Sequence, residues 1–407
     1  MKVQPFKCGP DYIDTKHHAM AAGEEAVNLD TFMASAGHVR QIYSRYGTGA
    51  DACVTEGVMG LFDGYDKMRG SSAEIAGLLG IPVVLVLNAK STAYSVAPVL
   101  HGFKHFYPGI RVVGAIFNFV ASESHYAYLR GACEDVGIEA LGYIPKDEGI
   151  VIPSRHLGLS IDGSCCFDEF ANRVAEVIAK TVNVERLLEI CTTDFPACGV
   201  NGDAERGEMK IAVARDEAFN FMYRENIGAL EREGEVVFFS PLHDTVLPEA
   251  DLIYLPGGYP ELFLAELSGN EEMKQALRAY CEAGGRVLAE CGGMMYLCES
   301  IAGTDGVAYP MVGVLSREAT MEPMKLKLGY REVVLNGKAI RGHEFHYSRV
   351  KPGTEEVVRV GEVYNAKGGR VDTPVYRYKN VIASYVHFYW GECGMERLLN
   401  MALRDSE

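Results

Sequence analysis

Residues 284–297 place a single cysteine between an apolar strand and the start of an apolar helix. The strand leads into Glu290 and Cys291, and Gly292 and Gly293 follow. A sharp strand-to-helix turn presents the side chain at its apex, and the glycines allow the tight backbone that such a turn requires. Backbone amides at the helix start would stabilise a thiolate. Taken alone, Cys291 could equally be a buried packing residue.

Two other segments contain groups that a cysteine nucleophile needs. Residues 251–258 form an apolar strand that ends in Pro-Gly-Gly, and the amides of Gly257 and Gly258 could bind the oxyanion of a tetrahedral intermediate. His387 lies in the late apolar strand 381–390 and could serve as the base. A core histidine is the alternative for that residue by itself.

A second set of chemical groups lies in the first 64 residues, in loops shaped by glycine and proline. Carboxylates at the carboxyl ends of strands in an open α/β sheet lie where such folds bind ligands. Together with a lysine they suit Mg²⁺ and the phosphates of a nucleotide, although each acid alone could be a solvated loop charge. The set is Lys7, Asp11, Asp14, Glu56 and Asp63.

The motif at 342–348 combines His343, Glu344 and His346, residue types that bind metals. Neighbouring side chains on a strand point to opposite faces, which separates His343 from Glu344. We therefore interpret this segment as a structural strand.

Short apolar runs alternate with helical patterns along the whole chain. In the first half, strands are predicted at 50–57, 81–90, 110–120 and 138–145, with helices at 72–80 and 124–137. A new strand–helix series begins at 210. This alternation predicts an α/β fold of two domains, each a mainly parallel sheet with helices on both faces.

The length and composition fit two folded domains. We predict a synthetase domain at 1–182, a linker at 183–208 and a second domain at 209–407. The net charge of −16 disfavours nucleic acid and anionic membranes as partners. No membrane-spanning run or signal-peptide pattern is visible, and the eleven cysteines contain no CxxC pair, so a reducing cytoplasm is expected.

The order of strand-PGGYPE, strand-ECGG-helix and late strand-His resembles the class I glutamine amidotransferases. This resemblance implies that Cys291 attacks the side-chain amide of L-glutamine, that His387 relays the proton and that Gly257 and Gly258 hold the oxyanion. Many enzymes of that class carry a glutamate two residues after the histidine. Tyr389 stands there in this chain, which leaves open what orients His387.

The remaining motifs resemble the cobyrinic acid a,c-diamide synthase family. The matching strings are KVQPFKCGPDYID (2–14), NLDTFM (28–33), EGVMGLFDGY (56–65), GAIFN (114–118), LGYIP (141–145) and IPSRHLGL (152–159). The resemblance implies a P-loop fold like that of dethiobiotin synthetase before the amidotransferase domain. It also implies that ATP phosphorylates the a- and c-acetates of cobyrinic acid, in cobalamin biosynthesis, and that ammonia from glutamine displaces the phosphate.

The family resemblance also assigns roles in the first half by position. Three carboxylates would handle Mg²⁺ and the phosphates, with the lysine beside them. Asp11, Asp14 and Glu56 would be the three carboxylates, and Lys7 the lysine. Tyr12 and Ile13 would face the macrocycle, Asp63 would help to present the second carboxylate, and Asn118 would contact adenine.

The sequence departs from the family at its start. The family opens with a strand, a glycine-rich phosphate loop and a helix, whereas this sequence has no GxxxxGK[ST] motif. We expect that a preceding unit is missing, that one sheet lacks a central strand and that ATP binds weakly to residues 1–407.

Three alternatives stay open at this stage. A nickel-sirohydrochlorin a,c-diamide synthase of coenzyme F430 formation would share most of the motifs. A glutaminase without synthetase activity would fit the absent phosphate loop, and a binding module for a tetrapyrrole would need no catalysis. The oligomeric state, the order of the two amidations and the ammonia path are not indicated by the sequence.

Overall fold

The computed structural model describes residues 1–151, 154, 155, 158, 159, 167–196, 198, 206–353 and 357–403. The chain folds into two units, each with its own core. The first comprises Met1–Leu29 and Arg40–Gly199, and the second comprises Asp30–Val39 and Val200–Glu407. Four of the eight residues of the string at 152–159 lie outside the described residues, as does much of the second half of the predicted linker.

The first unit alternates strands and helices. Its strands are β1 (Val3–Cys8), β2 (Val27–Leu29), β3 (Ala52–Glu56), β4 (Val83–Asn88), β5 (Val112–Val120), β6 (Glu139–Pro145), β7 (Ser154–Arg155) and β8 (Gly158–Leu159). Its helices are α1 (Asp14–Ala22), α2 (Ala36–Gly47, whose first residues belong to the second unit), α3 (Ser72–Leu79), α4 (Ala97–His105), α5 (Glu123–Val136), α6 (Phe167–Thr181) and α7 (Val184–Cys191).

Two parallel sheets organise the first unit, and the part of the chain that is described pairs no strand between them. Their strand orders are β2-β1-β3 and β4-β5-β6. The side chains of Val54 on β3 and Val86 on β4 are 58% and 65% exposed, values that are high for valines in strands of an α/β fold. The apolar core of this unit surrounds β5, where Ala115 and Phe117 are fully buried.

The second unit contains the larger sheet system. Its strands are β9 (Met209–Ala214), β10 (Phe219–Phe221), β11 (Gly234–Phe239), β12 (Leu252–Leu255), β13 (Gly257–Gly258), β14 (Arg286–Glu290), β15 (Cys298–Ala302), β16 (Ala308–Pro310), β17 (Leu315–Thr320), β18 (Lys327–Leu335), β19 (Lys338–His346), β20 (Arg349–Val350), β21 (Val358–Arg359), β22 (Glu362–Asn365), β23 (Val375–Tyr378), β24 (Val381–Ser384) and β25 (Val386–Phe388). Its helices are α8 (Arg224–Glu233), α9 (Leu264–Gly269), α10 (Glu271–Glu282), α11 (Gly292–Leu297) and α12 (Met395–Leu403).

The main sheet of the second unit has the order β11-β9-β12-β14-β24-β23-β21, and its first five strands are parallel. Alternate residues of its strands enter two separate apolar cores. Leu255 and Ala289 lie in the core that contains α10 and α11, whereas Tyr254 and Leu288 lie in the core that contains α8 and α12. Both faces of the sheet are therefore covered, which confirms the predicted α/β class.

The predicted single strand at 381–390 is wrong in one respect. It breaks at Tyr385 into β24, which pairs in parallel with β14, and β25, which pairs antiparallel with β19 in a different sheet. The chain leaves one sheet and joins another because β14 ends at Glu290, where its own chain turns into α11. This change of sheet sets the position of His387.

Residues 30–39 pack within the second unit, outside the predicted domain 209–407. The hydroxyl of Tyr330 donates to Asp30 at 2.6 Å, and Ser35 donates its backbone N–H to Glu392 at 2.9 Å. The predicted linker contains the helix α7 near its start.

Candidate active site

Cys291 lies at the turn between β14 and α11 in a conformation that L-residues rarely adopt, with φ of 45° and ψ of −102°. The backbone is held there from both sides. Its N–H donates to the carbonyl of Ser384 at 2.7 Å, and its carbonyl accepts from the N–H of Met295 at 3.0 Å. A strained residue that the surrounding structure holds in place is typical of a nucleophile at such a turn.

The glycines around this turn are required by close packing. A Cβ on Gly257 would lie 2.2 Å from Cε1 of His387, and one on Gly292 would lie 3.1 Å from the backbone nitrogen of Gly258. The fold therefore brings Gly257 against His387, and Gly258 beside the residue that follows Cys291. These are the four residues for which the sequence predicts a shared site.

His387 is 1% exposed and pairs in register with His343 across β25 and β19. Burial, with smaller contributions from the charges of His343 and His346, lowers the pKa of His387 to about 3. The imidazole is therefore neutral near pH 7 and can accept a proton. Phe221 contacts it with a ring-centroid separation of 6.2 Å.

Our expectation of a stabilised thiolate is not met. Burial raises the pKa of Cys291 above its ordinary value, the charge of Glu261 adds to this effect, and the backbone N–H of Gly292 offsets only part of it. The helix α11 has only six residues and cannot outweigh the loss of solvation. Cys291 thus rests as a thiol and needs a base.

Residues 342–346 of the motif lie on β19, as predicted, and Glu344 is fully buried. The carboxylate accepts hydrogen bonds from Arg331, from His346 at 2.7 Å and from Thr373 at 2.7 Å. These contacts lower the pKa of Glu344 to about 2 despite its burial. The backbone carbonyl of Phe345 lies 3.9 Å from Sγ of Cys291, so this strand forms one wall of the site.

In the first unit, Lys7 joins two of the predicted carboxylates. Its Nζ lies 2.7 Å from Asp14 and 3.1 Å from Glu56, and the lysine side chain is only 4% exposed. Burial opposes the charged form, but the two carboxylates outweigh it and raise the pKa of Lys7. His18, which sequence reasoning missed, contacts Glu56 at 2.6 Å. Its position four residues after Asp14 on α1 is the signal that could have revealed it.

The DYID segment begins α1. Oδ1 of Asp11 accepts the N–H groups of Ile13 at 2.8 Å and Asp14 at 2.9 Å, so this acid stabilises the helix start. Burial raises the pKa of Asp11, and its hydrogen bonds offset only part of that shift. Tyr12 is 5% exposed, and Ile13 is half-buried.

Two further residues predicted to bind ligands, Asn118 and Asp63, lie on other elements than Lys7 and its carboxylate partners. Asn118 is on β5, opposite Asn88 of β4, and its Oδ1 accepts the N–H of Phe119 at 2.8 Å. Asp63 lies in the exposed loop that follows β3, where its N–H donates to the carbonyl of Gly60.

Within the described ranges, no group of three or more His, Cys, Asp or Glu side chains has the arrangement of a metal site. Asp14 and Glu56 nevertheless converge on one cation, the ammonium of Lys7. Two carboxylates with substrate phosphates are a usual ligand set for Mg²⁺, so this pair fits that ion.

Known proteins match the sequence of the second unit alone and of nearly the whole chain. Residues 210–394 match the profile of the CobB/CobQ-like glutamine amidotransferase domain. The "Cobyrinate a,c-diamide synthase" of Salmonella typhimurium is 37% identical over 96% of this chain and 89% of its own length. The chain belongs to the cobyrinate a,c-diamide synthase family.

Other members of the cobyrinate a,c-diamide synthase family match over the same extent. The protein of that name from Caldanaerobacter subterraneus is 38% identical over 98% of this chain and 91% of its own length. The one from Saccharolobus solfataricus is 34% identical, with 96% and 91% covered. The family resemblance inferred from the motifs is thereby confirmed. No helix in the described part of the chain is long and apolar enough to cross a membrane.

Proposed function

We propose that this protein catalyses the ATP- and glutamine-dependent amidation of the a- and c-acetate carboxylates of cobyrinic acid, in cobalamin biosynthesis. The observation that carries the proposal is a match of 37% identity over 96% of the chain to a protein named for that reaction. The arrangement of Cys291, His387 and the Gly257–Gly258 turn in the second unit supports the glutaminase half of the reaction.

In the glutaminase half-reaction, Cys291 forms the covalent intermediate. An imidazole nitrogen of His387 takes the thiol proton as the sulfur attacks the side-chain amide carbon of glutamine. The amides of Gly257 and Gly258 stabilise the oxyanion. His387 returns the proton to the departing nitrogen, which leaves as ammonia, and water then hydrolyses the thioester to glutamate.

In the synthetase half-reaction, the residues around Lys7 would bind the phosphates of ATP. Asp14 and Glu56 would hold Mg²⁺, which neutralises phosphate charge when it is bound, and Asp11 would keep the start of α1 in place for them. Tyr12, Ile13 and Asp63 would contact the tetrapyrrole, and Asn118 the adenine. The acetate carboxylate attacks the γ-phosphorus of ATP to give an acyl phosphate and ADP. Ammonia then attacks the acyl carbon and expels phosphate, leaving the amide.

Incubation with ATP, Mg²⁺, glutamine and cobyrinic acid tests the proposal, with products resolved by mass spectrometry. We expect a diamide and one glutamate for each amide formed. A parallel incubation with nickel-sirohydrochlorin distinguishes the sister reaction, because preferential amidation of that macrocycle would overturn the proposed substrate. Glutamine hydrolysis without any amide product would reduce the function to that of a glutaminase. The cytoplasmic location stays a prediction.

A further inference from the structure

A buried carboxylate adjoins His387 although Tyr389 stands where many related amidotransferases carry a glutamate. Oε2 of Glu290 lies 3.9 Å from Nδ1 of His387, and both side chains are 1% exposed. Glu290 directly precedes Cys291 in the chain and ends β14. The acid and the nucleophile therefore sit at one turn, with the histidine beside the acid.

Two hydrogen bonds hold Glu290 in this position. Its Oε1 accepts the backbone N–H of Phe388 at 2.9 Å, and its Oε2 accepts the hydroxyl of Tyr254 at 2.8 Å. Phe388 is the residue after His387, and Tyr254 lies on β12, which leads into the Gly257–Gly258 turn. One carboxylate thus connects the strands that carry the nucleophile, the base and the oxyanion-binding glycines.

Two other residues that could orient His387, Tyr389 and Glu344, contact different partners. Tyr389 places its hydroxyl 3.0 Å from Nε2 of His38. Glu344 is held by Arg331, His346 and Thr373. It also follows His343 on β19, and since His343 pairs with His387, strand alternation directs Glu344 to the opposite face.

We propose that Glu290 is the positioning residue for His387 and completes a Cys291–His387–Glu290 triad. This inference rests on the proposed glutaminase function. Glu290 faces Nδ1 of His387, which leaves Nε2 for the proton of the Cys291 thiol. When that proton arrives, the imidazolium gains a carboxylate partner in a site from which water is excluded. Glu290 touches no substrate and acts only through His387.

The need for such a partner follows from burial. Burial disfavours both the thiolate and the imidazolium, so forming that pair is costly without a further charge. Burial also raises the pKa of Glu290 to about 8, although Tyr254 and the Phe388 amide lower it. Raising the pH through about 8 therefore deprotonates Glu290 and provides the carboxylate that partners His387. Further titratable groups on β19 act on His387 through their charges, namely His343 on the same face and His346 and Glu344 on the opposite face.

Two substitutions at this position separate charge from shape. Glu290→Gln keeps the size of the side chain and a carbonyl oxygen for the Phe388 N–H, but removes the charge. Glu290→Asp keeps the charge and shortens the side chain. We expect the glutamine-dependent kcat to fall about 100-fold in Glu290→Gln and less in Glu290→Asp. The KM for glutamine should change little in either variant.

The pH profile adds a readout that a structural role would not move. The wild-type rate of glutamine hydrolysis should rise through an apparent pKa near 8, and Glu290→Gln should lose that rise. A Glu290→Gln enzyme with a kcat within twofold of wild type, or above that of Glu290→Asp, would overturn the proposal. If Glu290→Gln does not fold, a Glu290→Asp enzyme without loss of kcat and with an unshifted profile would also overturn it.

Amide formation with free ammonia should be unchanged in both variants, since it bypasses the triad. Glutamine hydrolysis by wild type and by the variants separates the triad from the proposed function. A wild-type protein that hydrolyses no glutamine would contradict the function, whereas an active Glu290→Gln variant would contradict only the triad.

Discussion

The hydroxyl of Tyr389 lies 3.0 Å from Nε2 of His38, although 351 residues separate the two in the chain. His38 belongs to the segment Asp30–Val39, which packs within the amidotransferase unit. Tyr389 follows His387 by two positions. A segment from the early part of the sequence therefore supports the strand end that carries His387, the proposed base.

Tyr389→Phe should destabilise the second unit, because it removes the hydroxyl from a pair in which both residues are almost fully buried. We expect a loss of about 1–3 kcal/mol in the free energy of unfolding, measured by denaturant titration. Tyr364→Phe is the matched control, since its hydroxyl bonds Glu362 at the surface. Equal stability of the two variants would show that the His38 contact contributes nothing.

Cys291→Ala should abolish glutamine-dependent amidation while free ammonia still supports synthesis, because only the ammonia source is lost. Amide production from each nitrogen donor provides the measurement. Cys393→Ala removes a half-buried thiol elsewhere in the same unit and should retain both activities. Normal glutamine use by the Cys291→Ala enzyme would exclude Cys291 as nucleophile.

Gly257→Ala should disable the glutaminase without unfolding the protein. The new methyl group would overlap Cε1 of His387, and displacing that ring by about 1 Å would lower the rate ~100-fold. Gly269→Ala is the control, because nothing lies within 4 Å of its added Cβ. A fully active Gly257→Ala enzyme would mean that the ring has more room than the structure indicates.

Asp14→Asn and Glu56→Gln should impair the ATP-dependent step and leave glutamine hydrolysis intact. Each removes a carboxylate that contacts Lys7, and therefore a proposed Mg²⁺ ligand. Diamide formation and glutaminase rates are measured separately. Glu148→Gln is the control, since that side chain is 91% exposed. Parallel loss of both activities together with thermal stability would indicate a structural role for these acids.

Protonation of two buried histidines should destabilise the second unit on acidification, although protonation of the buried Glu290 below about pH 8 acts in the opposite direction. Burial lowers the pKa of both His343 and His387 to about 3, well below the ordinary value of 6.5. The unfolded chain binds more protons between those values, so stability present above pH 6.5 is lost as the pH falls. Between pH 6.5 and 5, each histidine should cost about 2 kcal/mol.

Thermal unfolding of wild type and His343→Gln at pH 7 and pH 5 isolates the contribution of His343. The variant lacks one of the two histidines and should lose less stability on acidification than wild type. An unchanged slope would indicate that His343 is protonated in the folded state.

Much of the amidotransferase site is predictable from local patterns. Cys291 stands between a strand and two glycines, Gly257 and Gly258 end another strand, and His387 lies on a third. These patterns depend on residue type and on periods of a few residues, which determine where strands end and turns begin. The same reasoning predicted the α/β class, because strands and helices alternate along the chain.

The tertiary structure alone decided which groups surround those residues. Strand alternation cannot tell that β24 and β25 join different sheets, nor that residues 30–39 pack beside Tyr389. In the sequence, Glu290 is only the residue before Cys291, the proposed nucleophile, and the fold places it beside Nδ1 of His387. Burial likewise reversed the expected thiolate, because the cost of desolvating a charge depends on all the atoms packed around it and not on its neighbours in the chain.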